Sequence, residues 1–267
     1  MISSRDKGFK KEGRNGLKRA DMRFSVVIPV KNEAENLTRL VEEIEAACRA
    51  LGAFEVIAVD DGSTDATLVR LLALASARPS MRVLHHPTSA GQSAAVHSGV
   101  QAARAPIVCT LDGDGQNPPD QLPGILAPLL AADAPAALGL VAGQRLGRQD
   151  TLSKKLASLA ANRIRSAVLR DSTRDTGCGL KAFRREAFLR LPYFNHMHRY
   201  LPALFARDGW SIAHVDVTHR QRQSGRSNYS NLGRALVGIS DLLGVAWLLR
   251  RRKTAKAEEC TIERGVS

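Results

Sequence analysis

Residues 110–116 (TLDGDGQ) set two carboxylates, Asp112 and Asp114, one residue apart directly after the apolar run 107–111 (IVCTL). Where a buried strand ends and the chain turns, aspartates so spaced can converge on one point. Gly113 and Gly115 let the backbone come close to whatever is held there. Hard oxygen ligands of this kind suit Mg2+ or Mn2+, with substrate phosphates completing the coordination. A solvated Asp/Gly turn has the same spelling; it is the position after an apolar strand that favours a metal. A second acidic cluster, Asp60-Asp61-Gly62-Ser63-Thr64-Asp65, follows the apolar run 54–59, and a third polar cluster, Lys31-Asn32-Glu33, follows the run 24–30. Carboxylates at such positions can accept hydrogen bonds from a base or a ribose. Ser63 or Thr64 also suits a helix N-cap.

These clusters need a scaffold that brings strand ends together. The runs 24–30 (FSVVIPV), 54–59 (FEVIAV), 82–85, 107–111 and 138–143 read as buried strands, being short and rich in β-branched residues. Between them Leu37, Leu40, Val41, Ile44, Cys48 and Leu51 recur at helical spacing, and 66–77, 92–104 and 121–130 read as further helices. Asn32 is expected to cap the first helix with Glu35 as its capping-box partner. Strand–helix alternation implies an α/β fold, a mostly parallel sheet with helices on both faces, whose ligands bind beyond the carboxyl ends of the strands. Beyond residue 145 the sequence predicts a basic helix over 152–169, a glycine-rich loop over 175–179 and a strand over 212–217.

The 267 residues are 44% hydrophobic and 24% charged, which excludes a disordered or fibrous chain. The formal net charge is +13, and its distribution is uneven. Residues 24–144 carry seven basic and thirteen acidic side chains, whereas residues 145–234 carry eighteen basic and six acidic. That polarity suits a metal-binding half followed by a half that receives an anion, and does not suit a uniform nucleic-acid coat. Cys48, Cys109, Cys178 and Cys260 form no zinc-type spacing, as expected of a reducing compartment. No lysine-bearing phosphate loop is present and no GxGxxG follows the first strand. His85, His86, His196 and His198 are expected to be locally bonded rather than metal ligands, because the site already offers hard oxygens. Gly91 and Gly99 flank 92–98, where a structural turn with a helix start outweighs an anion nest.

Taken together, Val27-Ile28-Pro29-Val30-Lys31-Asn32-Glu33, Val59 through Asp65 and Leu111 through Pro119 resemble the family 2 glycosyltransferases of GT-A fold. Within that family the chain is most similar to the dolichyl- or polyprenyl-phosphate sugar synthases. Gly143-Gln144-Arg145, Asp175 through Arg185 and His219 through Tyr229 agree in order. The resemblance implies a nucleoside-diphosphate sugar donor, with Pro29, Lys31, Glu33, Val59, Asp61 and Gly113 around the nucleotide and Asp112, Asp114 and Gln116 around the metal and diphosphate. It places Arg145 and Arg222 near donor and acceptor phosphates. Asp175 is the remaining acidic candidate, as base or acceptor-orienting residue, with a turn or N-cap role equally open. Lys31 stands where the family commonly has an aromatic residue, and Asn228 where a lysine is usual.

The expected reaction is a metal-dependent (Mg2+ or Mn2+) inverting transfer of a sugar from a UDP- or GDP-sugar to a polyprenyl phosphate. A saccharide hydroxyl acceptor and a non-enzymatic basic protein are the rival readings. Nucleic acid is not an expected partner, and a homo-oligomer is left open. Residues 1–22 are expected to be a basic disordered tail, 23–230 the GT-A domain, 231–253 an amphipathic helix on the membrane surface and 254–267 a flexible tail. A membrane span over 232–249 would have to bury Arg234 and Asp241, at about 2.5–3.5 kcal/mol each. A helix lying on the inner face of the cell membrane, anchored by Trp247 and the basic residues 250–253, fits better than that or than an ordinary packed helix. The expected location is therefore cytoplasmic and peripheral.

Overall fold

The computed structural model describes residues 22–146, 165–166, 168–169, 173, 175–220, 231–251 and 255, with the side chains of 231–237 excepted. Seven strands, β1 (Phe24–Val30), β2 (Phe54–Asp61), β3 (Met81–His86), β4 (Ile107–Thr110), β5 (Leu138–Arg145), β6 (Lys181–Arg184) and β7 (Ser211–Val217), form one sheet in the order β3-β2-β1-β4-β6-β5-β7. Every pairing is parallel except those made by β6, which runs antiparallel between β4 and β5. The mostly parallel α/β sheet is the expected one. The inserted β6 is not foreseen by the sequence, because four residues reading Lys-Ala-Phe-Arg carry too little apolar pattern to mark a strand.

Side chains alternate across the strands into two cores. Phe24, Val26, Ile28 and Val30 of β1 meet α1 (Leu37–Cys48), α2 (Thr67–Ser76) and α4 (Leu122–Leu130) on one face. Val27, Ile57 and Val59 meet α3 (Gln92–Ala102), α5 (Arg185–Leu189), α6 (Leu201–Arg207) and α7 (Asn231–Arg250) on the other. Of the six apolar residues expected on the first helix, Leu37, Leu40, Val41, Ile44 and Cys48 are buried on α1, while Leu51 lies beyond its end in a 3-10 turn and is partly buried. At the amino end of the sheet Glu55, 1% exposed, takes a 2.8 Å ion pair from Arg82 and hydrogen bonds from the Ser25 hydroxyl and the Arg104 amide. A buried carboxylate so surrounded keeps its charge compensated.

Two caps differ from expectation. Asn32 does not cap α1: it adopts a left-handed φ of 55°, accepts a hydrogen bond from the Thr64 amide and donates its own amide to the Ser63 hydroxyl. Helix α1 begins only at Leu37, a full turn later, because Asn32 is spent on bridging the ends of β1 and β2. Ser63 and Thr64 are thereby occupied, and Asp65 takes the capping role by accepting the Thr67 amide.

Helix α7 packs its inner side, Leu242, Val245, Leu248 and Leu249, on the second core. Arg207 reaches the Leu248 carbonyl and His196 pairs with Asp241 at 2.8 Å. Its outer side carries Ile239, Leu243 and Trp247, all more than half exposed. The helix is thus apolar on two sides, not on one as expected, because the protein body consumes a face of its own. No helix among the described residues is long and apolar enough to cross a membrane. Of the predicted basic helix over 152–169, only 165–166 and 168–169 lie within the described residues, and they are helical. Met22, assigned by sequence to the tail, is buried.

Candidate active site

The site forms where β1, β2, β4 and β5 end at one rim of the sheet. Asp112 follows β4, and a hydrogen bond from the Leu111 amide to the Val27 carbonyl locks the turn against β1. Gly113 is required by the same closeness, since a Cβ there would lie 2.4 Å from Val30 Cγ1 and 2.8 Å from the Pro29 carbonyl. Asp114 accepts the Gln116 amide at 3.1 Å, which curls the chain so that both aspartates belong to one turn. Gln116 is tied at its other side by its carbonyl, which accepts the Arg220 amide. Asp112 is gripped from three directions. Gln92 Nε2 donates to its Oδ1 at 2.7 Å, Asn117 Nδ2 to its Oδ2 at 3.2 Å, and Gly179 lies so close that a Cβ would meet Oδ2 at 2.1 Å. Burial and the neighbouring Asp114 charge push Asp112 up to about 6, against the opposing influence of Lys181 and Arg145.

The donor set suits a divalent cation. Asp112 and Asp114 supply hard anionic oxygens one residue apart, and the two charges raise each other's energy unless a cation lies between them. The cradle that a Gly179 Cβ would fill keeps the Asp112 carboxylate accessible beside its amide partners. Among the described residues no group of three or more His, Cys, Asp or Glu is gathered, so a cation here would draw its remaining ligands from substrate or water.

Among the residues expected around a nucleotide, Pro29 and Val59 are partners across β1 and β2. The Val59 side chain is fully buried beneath α3, so only its main chain is left to a ligand. Lys31 is exposed, and the Glu33 amide donates to Thr67 Oγ1. Asp61 is the most committed residue of the group. It is 4% exposed and accepts hydrogen bonds from the Ser89 hydroxyl and the Ala90 and Gly91 amides, with His86 Nδ1 at 2.8 Å. Burial alone would raise its pKa, but the Ala90, His86, Ser89 and Gly91 contacts outweigh burial and hold it at about 2. Asp60 likewise pairs with His85. The histidines are local partners, as expected of them.

On the far side of the turn, Arg145 at the end of β5 and Asp175 meet in a bidentate pair, with Nε–Oδ2 2.6 Å and Nη2–Oδ1 2.9 Å. This pairing raises the Arg145 pKa. Sequence reasoning proposed separate roles for these two residues, and the fold joins them. Lys181, 3% exposed, points its ammonium at the carbonyls of Cys178 and Thr176, and burial pulls its pKa down. Thr110 Oγ1 donates to the Gly179 carbonyl at 2.8 Å. The loop 175–180 is therefore tied to β4 through Thr110 and to β6 through Lys181. Arg222 lies outside the described residues. The sequence reading gave no site role to Gln92, Gly179 or Lys181. Gln92 and Gly179 act on Asp112, which is distant from them in sequence, and Lys181 holds the nearby carbonyls of Cys178 and Thr176.

Residues 25–191 match the sequence model of glycosyl transferase family 2. The chain is 33% identical over 234 residues to a dodecaprenyl-phosphate galacturonate synthase of Rhizobium johnstonii, covering 86% of this chain and 68% of that protein. It is 37% identical over 211 residues to an undecaprenyl-phosphate 4-deoxy-4-formamido-L-arabinose transferase of Pectobacterium carotovorum, covering 78% of this chain and 63% of the relative. The chain thus spans about two thirds of the length of these relatives. In fold it is similar to the Mycobacterium tuberculosis glucosyl-3-phosphoglycerate synthase solved with Mn2+, UDP-glucose and phosphoglyceric acid, at TM-score 0.63 and 22% identity over 88% of this chain and 86% of that one. With the family motifs gathered at one rim of the sheet and the family model matched along most of the folded body, the chain belongs to glycosyl transferase family 2.

Proposed function

We propose that the protein transfers a sugar from a nucleoside-diphosphate donor, UDP- or GDP-linked, to a polyprenyl phosphate at the cytoplasmic face of the membrane, with inversion at the anomeric carbon. The observation that carries the reading is the Asp112–Asp114 turn, set between an Asp61-centred nucleotide side and an Arg145–Asp175 pair on the basic side. Both curated relatives bear the names of prenyl-phosphate sugar transferases. Asp112 and Asp114 would hold Mg2+ or Mn2+, with Gln116 beside them. The cation, when bound, supplies the charge that stabilises the departing diphosphate. Pro29, Glu33 and the main chain at Val59 line the nucleotide end, with Asp61 shaping the 86–91 loop around it. A phosphate monoester, with its second pKa near ~6, is already largely ionised at pH 7. Attack by it needs positioning more than a strong base, and Asp175 in bidentate contact with Arg145 suits an orienting part better than proton abstraction. The exposed Ile239, Leu243 and Trp247 face, followed by Arg250 and Arg251, supports contact with an anionic lipid surface where the acceptor resides.

The test is to incubate the purified protein with Mn2+ or Mg2+, a polyprenyl phosphate and a panel of radiolabelled UDP- and GDP-sugars. Label is expected to move to the lipid phase, and Asp112→Ala is expected to stop it. Failure to transfer from any donor, together with failure to bind any of the nucleotides, would overturn the reading.

A further inference from the structure

The nucleotide side and the metal side of the site meet at a residue that the family motifs quoted above leave out. Asp61 binds the amides of Ala90 and Gly91 and the Ser89 hydroxyl, which sets the loop leading into α3. The first residue of α3 is Gln92, and its amide group donates to Asp112 Oδ1 at 2.7 Å. Across the same carboxylate Asn117 Nδ2 donates to Oδ2. Asn117 is 2% exposed, and its Oδ1 is buried without a hydrogen-bond partner among the described residues. Burying an unsatisfied amide oxygen is unfavourable, so the contact with Asp112 is what orients this side chain.

A carboxylate oxygen has two lone-pair directions, and an amide N–H takes one of them. One amide on each oxygen fixes the plane of the Asp112 carboxylate and leaves the other directions for a cation. The donors are neutral, so they orient the ligand without competing electrostatically with a metal, as a lysine or arginine in their place would. We propose that Gln92 and Asn117 form a two-amide clamp that presets Asp112 for the divalent cation, and that Gln92 couples this setting to the Asp61-held loop. Both are positioning residues, acting through Asp112. The inference rests on the metal-dependent reading given above.

Gln92 is solvent-exposed at the start of its helix, so Gln92→Met keeps side-chain length and helix preference while removing the N–H donor. Mn2+ binding in the presence of UDP is measured from the free-ion electron paramagnetic resonance signal for the wild type, Gln92→Met, Asp61→Asn and the double variant. Loss of an outer-shell partner typically weakens metal binding about 10–100-fold. Gln92→Met is expected to raise the Mn2+ dissociation constant at least about tenfold. Its thermal unfolding is expected to match the wild type, and its kcat to return at saturating Mn2+. The double variant is expected to lose less than the product of the single effects, because both act on one loop. Unchanged Mn2+ affinity in Gln92→Met overturns the clamp and leaves the family reading standing. Multiplicative effects overturn the coupling to Asp61. A wild type that binds no Mn2+ with UDP overturns the metal reading and the clamp together.

Discussion

A methyl group added at Gly179 would stand 2.1 Å from Asp112 Oδ2, closer than any non-bonded pair tolerates. The contact is to a metal-ligand candidate, so the clash would be relieved by turning the carboxylate away from its set position. Gly179→Ala is therefore expected to cut sugar transfer about 100-fold, the scale on which a displacement near 1 Å acts. Overpacking is expected to cost only about 1–3 kcal/mol of stability. Transfer rate and thermal unfolding measured on the same preparation separate the two. His198 gives a second prediction at this scale. It is hydrogen-bonded to Ser93 at 2.7 Å, and burial, with the nearby Lys181, Arg199 and His196 charges, pulls its pKa down to about 3. Between pH 6.5 and 3 the unfolded chain carries a proton that the folded chain refuses, so stability falls as pH drops through that window. The slope from this residue is at most about 1.4 kcal/mol per pH unit. A His198→Asn variant is expected to show a shallower fall of Tm from pH 6.5 to 4. Equal slopes would remove His198 from the account. Residue chemistry was legible in the sequence where it was local: Asp112 and Asp114 share one turn. It was not legible at Gln92 or Gly179, whose contacts with Asp112 span 20 residues in the first case and a strand crossing in the second.

At the scale of elements, the sheet separates stability from chemistry. The carboxyl ends of β1, β2 and β4 carry the site, while the amino end of β2 carries Glu55, buried against Ser25 and the Arg104 amide and paired with the part-exposed Arg82. Removing Glu55 leaves the Ser25 hydroxyl and the Arg104 amide without their acceptor, while the part-exposed Arg82 keeps the Ala102 carbonyl. Glu55→Ala is expected to cost about 1–3 kcal/mol in denaturant unfolding, with nucleotide affinity unchanged in the folded fraction. A loss below about 1 kcal/mol would mean that water reaches the Ser25 hydroxyl and the Arg104 amide freely. The strands β1, β2 and β4 were plain in the sequence because both faces of each are covered, which demands unbroken apolar runs. Strand β6 was not, because its four residues gain their place by pairing with β4 and β5 rather than by composition. The cap of the first helix was misplaced for a related reason. Asn32 had a local role available, and the junction of β1 with β2 drew it to the Thr64 amide instead, whereas the starts of α2, α3 and α4 fell within a residue of those expected.

For the whole molecule, the net charge of +13 resolves into an acidic half and a basic half, with α7 closing the second core. The outward face of α7 sets Ile239, Leu243 and Trp247 one turn apart, with Arg251 over the Trp247 ring at 6.0 Å. A helix apolar on two sides calls for cover on both. Vesicles containing anionic phospholipid are expected to bind the protein and shift its tryptophan fluorescence to the blue. Trp247→Ser with Leu243→Ser is expected to weaken that binding at least tenfold, given ~25 cal/mol per Å2 of apolar surface withdrawn from water. Binding that is unaltered in the double variant would exclude this face.

What the sequence by itself determined is the set of strand ends and the acidic turns that follow them, because apolar runs and Asp/Gly spacing are local consequences of burial and chain reversal. Only the tertiary structure decided which side chains meet across those ends. The antiparallel β6 brings Gly179 against Asp112 and the Lys181 charge near it, and Arg145 meets Asp175 across the neighbouring loop. Such meetings depend on the order in which strands pair, and strand order is set by the packing of the whole sheet rather than by any one segment.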